Sequence, residues 1–337
     1  MRIFDGHNDA LSRLLEAGDA GAPAGFIAGD GEGHIDLPRA ARGGLAGGCF
    51  AVFTGSPPEA AYASGEYFTA VDHARALSEA LAQVALLLRL ERESGGRLRV
   101  ARAANDLDGA GLAAVLHLEG AEPIGPGLDE LAVLHAAGMR SLGLVWSRPN
   151  AFATGVPFGF PGSPDQGPGL TDRGRALVRA CGELRILVDV SHLNARGFWD
   201  VAELSSAPLV ASHSGAHALC ASPRNLTDDQ LRAIGERDGL VGINFHVGFL
   251  RADGAEDADT PLSAIAEHAA HVAEVAGVRC VGLGSDFDGA IMPAALGDVA
   301  ELPALIGALR DAGFSEDELA GIAFGNWRRV LDATWGA

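Results

Sequence analysis

Short β-type segments alternate with longer amphipathic segments along the whole chain, and this alternation restricts the fold more than any other feature. Eight apolar segments have the length and composition of buried strands, whereas the segments between them repeat apolar residues with a helical period. Repeated β–α units build a parallel sheet covered by helices. The predicted strands are residues 2–9, 45–53, 113–119, 139–146, 186–191, 209–213, 240–246 and 280–285.

Eight such units predict an α/β fold, the closed (β/α)8 TIM barrel, with extra C-terminal helices because three helical segments follow the eighth strand. A length of 337 residues suits one barrel with loop insertions, so we predict a single domain over residues 1–337. An open doubly wound sheet is the alternative. Its dinucleotide fingerprint is incomplete here, because Phe287 stands where a third glycine would follow Gly282 and Gly284.

Local signals predict where several helices begin. The clearest amphipathic pattern covers about residues 66–93. A second helix is expected to open at Thr227, where Gln230 completes a capping box. A third is expected to open with Thr260 as N-cap and Pro261 at the first helical position.

Two long segments rich in glycine and proline, residues 18–33 and 155–169, follow the first and fourth predicted strands. In a barrel, loops in these positions lie over the carboxyl-terminal mouth. We expect them either to shape a substrate pocket or to serve as simple connections, and the first interpretation is favoured by their length.

The composition narrows the choice of partners. A formal net charge of −19 predicts repulsion from nucleic-acid phosphates and anionic lipids, so we predict no nucleic-acid or membrane partner. Four cysteines without a CxxC pair do not form a disulfide framework in a chain of this length. No apolar signal-peptide segment follows Arg2, and we predict a cytoplasmic location.

Residues of the types that bind metals end the first and third predicted strands. His7 and Asp9 are two positions apart, so their side chains point to the same side of a strand. Glu119 ends the third strand, where a buried carboxylate is costly unless it is paired or bound to a metal. A hydrogen-bonded His–Asp pair and a salt bridge of Glu119 are the metal-free alternatives.

His192 directly follows the fifth predicted strand and His213 ends the sixth, so the two histidines occupy matching positions on successive strands. Each alone is typical of a packed core histidine, but the other strand ends favour a metal site. We predict that His7, Asp9 and Glu119 hold one ion. Glu119, His192 and His213 would hold a second. Imidazole and carboxylate ligands favour zinc, and paired metals activate water for hydrolysis.

Asp286 follows the eighth strand and is a candidate proton shuttle, although an Asp–Gly turn is the simpler interpretation of this segment.

The motifs of two other hydrolase classes, a GxSxG elbow and an HExxH helix, are absent from the sequence. We expect His117 to point into the barrel one layer below Glu119, and His268 and His271 to face solvent.

Nine short motifs occur along nearly the whole chain: residues 5–11 (DGHNDAL), 35–39 (IDLPR), 119–120 (EG), 169–171 (GLT), 187–192 (LVDVSH), 212–214 (SHS), 222–230 (SPRNLTDDQ), 284–289 (GSDFDG) and 325–327 (GNW). With these motifs the chain resembles the membrane (renal) dipeptidase family of zinc peptidases, which have an amidohydrolase-like barrel. The resemblance implies two Zn²⁺ ions, bound by His7, Asp9, Glu119, His192 and His213.

The resemblance also implies roles for three other residues. Arg224 would bind the substrate carboxylate, and Asp286 would be the acidic proton shuttle. The family typically has a histidine at the end of the fourth strand, where it contacts the substrate carbonyl. Trp146 stands there in this chain, and its indole donates a hydrogen bond but cannot carry a proton charge. We interpret this exchange as a change of specificity, with Trp146 in the substrate pocket.

These observations predict a binuclear zinc dipeptidase that hydrolyses small-molecule dipeptides, including those with a D-residue at the carboxyl terminus. We allow for a homodimer. One alternative is another metal-dependent amidohydrolase, acting on N-acyl amino acids or related small amides. A second alternative is a metal-binding homologue with impaired catalysis, of which Trp146 would be the mark.

Overall fold

A closed barrel of eight parallel strands, with a ninth short strand at its edge, forms within the residues described by the computed structural model, 1–18, 22–56 and 68–336. The strands are β1 (Ile3–Asn8), β2 (Leu45–Phe53), β3 (Leu98–Val100), β4 (Leu112–Glu119), β5 (Met139–Gly143), β6 (Leu187–Asp189), β7 (Val210–Ser214), β8 (Leu240–Ile243) and β9 (Val281–Leu283). Neighbouring strands pair in the order β2-β1-β9-β8-β7-β6-β5-β4, and pairing between β2 and β4 closes the barrel.

Each of the eight predicted strands is a barrel strand, which confirms the predicted (β/α)8 fold. β5 ends at Gly143 and β8 at Ile243, earlier than predicted, because the following residues leave the ladder to form the mouth of the barrel. β3 was not predicted from the sequence. This strand pairs with Leu112–Ala114 of β4, and from Leu116 onward β5 pairs with the same edge of β4 instead.

Helices surround the barrel: α1 (Ala10–Glu16), α2 (Ala22–Ala28), α3 (Leu37–Gly43), α4 (His73–Glu93), α5 (Asp129–Ala137), α6 (Asp172–Glu183), α7 (Ala195–Leu204), α8 (Asp228–Glu236), α9 (Val247–Leu250), α10 (Ser263–Ala276), α11 (Leu302–Asp311), α12 (Glu316–Ala320) and α13 (Asn326–Trp335). The last three confirm the predicted C-terminal helices. α2 lies within the segment 18–33 that we predicted as a loop. No helix in the described ranges is long and apolar enough to cross a membrane.

The predicted helix starts have different outcomes. α8 begins with the expected capping box, in which Thr227 accepts from the backbone N–H of Gln230. The predicted start at Thr260 is wrong, because its hydroxyl donates instead to the carbonyl of Asp257 at 2.6 Å and the helix begins at Ser263. α4 begins only at His73, and residue 66 of the predicted helix lies outside the described residues.

α13 seals the amino-terminal end of the barrel. Trp327 is fully buried, its ring centroid lies 5.1 Å from that of Phe4, and its indole N–H donates to the carbonyl of Leu283 at 2.9 Å. Gly6 of β1 makes room for this ring, because a Cβ there would lie 2.4 Å from Trp327 Cζ2 and 2.3 Å from the Ser212 carbonyl oxygen. The opposite end of the barrel is left open for the polar strand ends.

We expect Trp327→Ala to lower the free energy of unfolding by roughly 3–5 kcal/mol, because it leaves a large cavity in the core. Trp199→Ala is the matched control, since Trp199 is 44% exposed and its loss should cost about 1 kcal/mol or less. Urea denaturation followed by circular dichroism measures both changes. Equal effects of the two substitutions would contradict the sealing role of α13.

Candidate active site

The five predicted metal ligands meet at the carboxyl-terminal mouth of the barrel. His7 belongs to β1 and Asp9 follows it, Glu119 is the last residue of β4, His192 follows β6, and His213 belongs to β7. All five side chains are buried. Strand ends that are far apart in sequence therefore contribute to one polar cluster.

Glu119 lies between two groups of ligands. Its Oε2 is 3.5 Å from His7 Nε2, and the same nitrogen is 3.5 Å from Asp9 Oδ2. Its Oε1 is 3.0 Å from His192 Nε2 and 3.6 Å from His213 Nε2. Each carboxylate oxygen thus faces a different group, as a ligand shared by two cations would.

The donor atoms of this cluster fit divalent metal ions. Both ring nitrogens of His7 are buried without a hydrogen bond among the described residues. His192 and His213 direct their Nε2 atoms toward each other at 2.9 Å. Ligand atoms within 4.8 Å of one another also form two sets that differ from the predicted grouping. The set His7–Glu119–His213 joins the two predicted groups, and the set His7–Asp9–Asp286 adds Asp286. Imidazole nitrogens and carboxylate oxygens without a thiolate are typical of hydrolytic zinc sites.

Burial and neighbouring charges shift the pKa values of the three clustered histidines in different directions. Burial lowers the pKa of His192 to about 4, and the charge of Arg224 acts in the same direction. Burial likewise holds the pKa of His213 well below its ordinary value. Burial also opposes a charge on His7, but the carboxylates of Glu119 and Asp9 outweigh it and raise the His7 pKa well above its ordinary value. Neutral imidazoles at 192 and 213 offer the lone pairs that a cation needs.

Two serines orient the imidazoles from behind, and the sequence analysis did not identify them. Ser147 Oγ lies 2.7 Å from His192 Nδ1, and Ser212 Oγ lies 2.7 Å from His213 Nδ1. Ser212 also donates to Asp189 Oδ2 at 2.5 Å, so its hydroxyl accepts the proton of His213 Nδ1. This chain of hydrogen bonds leaves His213 Nε2 unprotonated and directed at the cluster. The adjacency of Ser212 and His213 in the sequence was the available signal.

Asp286 and Asn244 lie at the edge of the cluster. The Asp286 backbone N–H donates to the His7 carbonyl at 3.0 Å, and Asn244 Nδ2 donates to Asp286 Oδ2 at 2.8 Å. Asp286 and His192 both have a φ of 64°, a conformation that non-glycine residues rarely adopt and that concentrates at functional sites. Gly289 is required beside them, because a Cβ there would lie 2.1 Å from Asp9 Oδ2.

Arg224 lies below the surface of the cavity, 3% exposed. Its Nη2 donates to the His213 carbonyl at 3.0 Å, whereas its Nε has no hydrogen bond among the described residues. Burial lowers the pKa of the guanidinium to about 10, so it stays charged at neutral pH. A buried donor without a partner costs about 1–3 kcal/mol, which an incoming carboxylate would recover.

A cavity of about 600 Å³ opens above Glu119, His192 and Asp286. Trp146 lines it, as predicted, and its ring centroid lies 5.9 Å from that of His192. Phe158 of the predicted loop 155–169 also lines the cavity, which supports the pocket interpretation of that loop. Several other lining residues were not predicted from the sequence, among them Phe53, His246, Phe249 and Glu256.

The predictions for His117 and His268, which lie outside the cluster, have opposite outcomes. His117 is buried below Glu119, with Nδ1 2.8 Å from Ser141 Oγ, as its position on the strand predicted. The prediction that His268 faces solvent is wrong. His268 is 1% exposed, accepts from the Ala216 N–H and contacts the Leu250 carbonyl, because this face of α10 packs against the barrel.

Comparison with known proteins decides the family. The family profile described as membrane dipeptidase (peptidase family M19) matches residues 1–335. The chain belongs to the membrane dipeptidase family. The predicted resemblance is thereby confirmed, and this M19 protein is a metal-dependent hydrolase of peptide bonds.

Relatives of this M19 dipeptidase include both sequences and solved structures. A protein of the pqqA 5′ region of Klebsiella pneumoniae is 48% identical over 258 residues, 75% of this chain and 95% of that protein. Dipeptidase aclJ of Aspergillus oryzae is 36% identical over 221 residues, 65% of this chain and 51% of that protein. A Rhodobacter sphaeroides metallopeptidase, solved with a phosphinate mimic of L-Ala-D-Ala, is 45% identical, with a TM-score of 0.94 over 99% of each chain.

We expect Asp189→Asn to weaken metal binding of this M19 protein by about 10–100-fold. Asp189 accepts from two backbone N–H groups on one oxygen and from Ser212 on the other. An asparagine side chain accepts hydrogen bonds only through its oxygen, so its NH2 group would donate to Ser212 Oγ. The Ser212 hydroxyl would then donate to His213 Nδ1. The proton of His213 would lie on Nε2, where it prevents metal binding.

Competition with a chelator, together with elemental analysis after dialysis, measures this affinity. Asp311→Asn is the control, because Asp311 is exposed on α11 and distant in sequence from every ligand. Unchanged metal affinity in the Asp189 variant would contradict the orienting role of this hydrogen-bond chain.

Proposed function

We propose that this M19 protein is a binuclear zinc dipeptidase whose substrates include dipeptides of the form L-Xaa-D-Xaa. The observation that carries the proposal is the position of Glu119, whose two oxygens face two separate groups of ligands. The D-residue is supported by the similarity to the R. sphaeroides metallopeptidase that was solved with a mimic of L-Ala-D-Ala.

His7, Asp9 and Glu119 would hold one zinc ion, and Glu119 would share the second with His192 and His213. Divalent ions in such a pair polarise a carbonyl oxygen and lower the pKa of water toward neutrality. The remaining work of binding, orienting and moving protons falls to the residues around the cluster.

Arg224 anchors the substrate through its carboxylate. The Nε–H of its buried guanidinium donates to none of the described residues, and its Nη2 donates to the His213 carbonyl. A fixed guanidinium next to a metal ligand holds a carboxylate at a constant distance from the scissile bond. This anchoring favours short substrates with a free carboxyl terminus.

Asp286 moves the proton. Asn244 holds its Oδ2, so Oδ1 accepts the proton from the attacking water and then delivers it to the amine that leaves. Trp146 lines the pocket without exchanging protons, because an indole N–H only donates hydrogen bonds. We therefore assign proton transfer to Asp286 rather than to Trp146.

A dipeptide library with measured zinc stoichiometry tests the proposed function. We expect two zinc ions per chain and hydrolysis of dipeptides by the zinc-loaded protein, abolished by chelation and restored by metal. N-acyl amino acids belong in the same panel, because faster hydrolysis of these amides would contradict the proposal. Two bound zinc ions without hydrolysis of any amide would contradict it as well.

Asp286→Asn should reduce kcat by roughly 100-fold or more, because the amide cannot accept a proton while its size and hydrogen bond to Asn244 are kept. Steady-state kinetics measure this loss, and elemental analysis should find normal zinc content. Asp253→Asn is the control, because the Asp253 side chain is exposed, pairs with Arg251 and does not line the cavity. Near-normal turnover of the Asp286 variant would refute its role.

Arg224→Met should remove the preference for a free carboxyl terminus. We expect the wild-type enzyme to hydrolyse a dipeptide at least about 100-fold more efficiently than the corresponding dipeptide amide, since the amide leaves the buried guanidinium without a charged partner. The variant should treat the two substrates alike. Arg196→Met, whose side chain is 67% exposed, should keep the wild-type ratio of kcat/KM. If the Arg224 variant still prefers the dipeptide over its amide, the substrate carboxylate does not bind Arg224.

The predicted single domain over residues 1–337, the cytoplasmic location and the homodimer stay predictions.

A further inference from the structure

Aromatic rings line one side of the cavity above the metal ligands. Phe53, Trp146, Phe158 and Phe249 follow one another, with successive ring centroids 5.3, 5.3 and 5.5 Å apart. They come from the end of β2, the segment after β5 and the short helix α9. We call these four residues the aromatic wall. It presents ring surface where the family typically has a histidine.

A buried ion pair supports the aromatic wall from behind. Arg148 is fully buried, its Nε donates to Glu122 Oε1 at 2.9 Å, and its Nη2 donates to the Thr54 carbonyl at 2.5 Å. Its Cζ lies 5.2 Å from the ring centroid of Trp146 and 5.5 Å from that of Phe53. The cation stabilises both rings and holds them in place.

The remaining lining of the cavity is polar and mainly acidic. It includes Glu16 and Asp288, together with Arg13, which pairs with Asp288 at 3.0 Å. Glu256 also belongs to it and lies 3.6 Å from His246, whose ring contacts that of Phe249. The cavity therefore combines apolar rings with carboxylates. If charge attraction alone chose the substrate, cationic side chains would be preferred over apolar ones.

The carboxylate anchor sets which end of a dipeptide meets which rings. Arg224 Cζ lies 5.6 Å from the ring centroid of Phe249, and the ring centroids of Phe158 and His192 are 6.5 Å apart. A carboxyl-terminal residue that extends from Arg224 to the metal ligands passes beside Phe249 and Phe158. The amino-terminal residue continues past His192 toward the other two rings of the wall.

We propose that the aromatic wall makes this enzyme select dipeptides in which both side chains are apolar. Phe249 and Phe158 contact the carboxyl-terminal side chain, and Trp146 and Phe53 contact the amino-terminal one. This inference rests on the proposed function, because that function supplies the orientation of the substrate. It goes further by naming the substrate class.

Desolvation is the physical basis of the selection. An apolar side chain gains free energy when rings cover it, whereas a charged or amide side chain loses hydration without finding a partner. In hydrophobic pockets, small changes of a side chain alter kcat/KM by about 10–200-fold. We expect Met to exceed Gln by at least about 10-fold and to exceed both Glu and Lys by at least about 100-fold.

Two matched substrate series measure this preference with the zinc-loaded enzyme. One series is Xaa-D-Ala and the other is L-Ala-D-Xaa, with Xaa as Met, Gln, Glu or Lys, and kcat/KM is determined for each member. Met, Gln, Glu and Lys are unbranched and similar in length, so the series compares polarity and charge rather than size. The wall predicts that Glu and Lys are both poor substrates.

Variants then divide the wall between the two substrate residues. Phe158→Ser should reduce the Met-to-Glu ratio about 10-fold in the L-Ala-D-Xaa series and leave the other series unchanged. Trp146→His should reduce the Met-to-Glu ratio about 10-fold in the Xaa-D-Ala series and leave the L-Ala-D-Xaa series unchanged. Trp146→Phe should keep the wild-type ratio in both series, because it keeps an aromatic ring. Comparison of the two Trp146 variants separates loss of ring surface from loss of folding. Phe160→Ser is the control, because Phe160 lies on the same loop, is 40% exposed and does not line the cavity.

Each variant is compared only at normal zinc content and unchanged melting temperature. Equal kcat/KM for Met and Glu, or a preference for Lys, would overturn the selection by the wall while hydrolysis itself upholds the proposed function. An effect of Phe158→Ser on the Xaa-D-Ala series would also overturn the assigned orientation. Failure of the zinc-loaded wild-type enzyme to cleave any dipeptide would contradict the proposed function as well.

Discussion

The buried carboxylate of Glu119 is the group on which the whole site depends. A carboxylate at the end of an apolar strand is unfavourable unless cations or donors surround it. Here Oε2 contacts His7 and Oε1 contacts His192 and His213. These imidazoles come from β1, from the segment after β6 and from β7, so they surround Glu119 only when the sheet is closed. The ligand cluster therefore requires the closed barrel.

The barrel was predictable because short, largely apolar segments alternate with amphipathic helical ones eight times along the chain. β3 escaped prediction because Arg97, Arg99 and Arg102 alternate with its few apolar residues, so no apolar segment marks it, and its pairing is supplied by β4. The start of α10 was predicted wrongly for a different reason. Thr260 has the right chemistry for an N-cap, but its hydroxyl is used by the Asp257 carbonyl, a local competition that a sequence pattern does not reveal.

The metal ligands could be predicted because strand ends of a parallel barrel meet at one mouth, whatever the loops do. Most of the residues that surround them, apart from Trp146, Arg224 and Asp286, could not. Phe158 and Phe249 reach the cavity from a long loop and from a four-residue helix, whose paths depend on tertiary contacts. Asp189 acts through hydrogen bonds that cross from β6 to β7, and no spacing along the chain shows them. Residues that support the ligands are therefore visible only in three dimensions.

The seal formed by α13 has a consequence for biosynthesis. Trp327 fills the amino-terminal end of the barrel and contacts Phe4, yet α13 follows every strand of the described chain. A ribosome thus completes the sheet well before it delivers the residue that packs the interior of that sheet. During translation the emerging polypeptide carries an uncovered apolar opening, and its first strand must wait more than 300 residues for this partner. Demand for chaperones should therefore persist until α13 has left the ribosome and covered this opening.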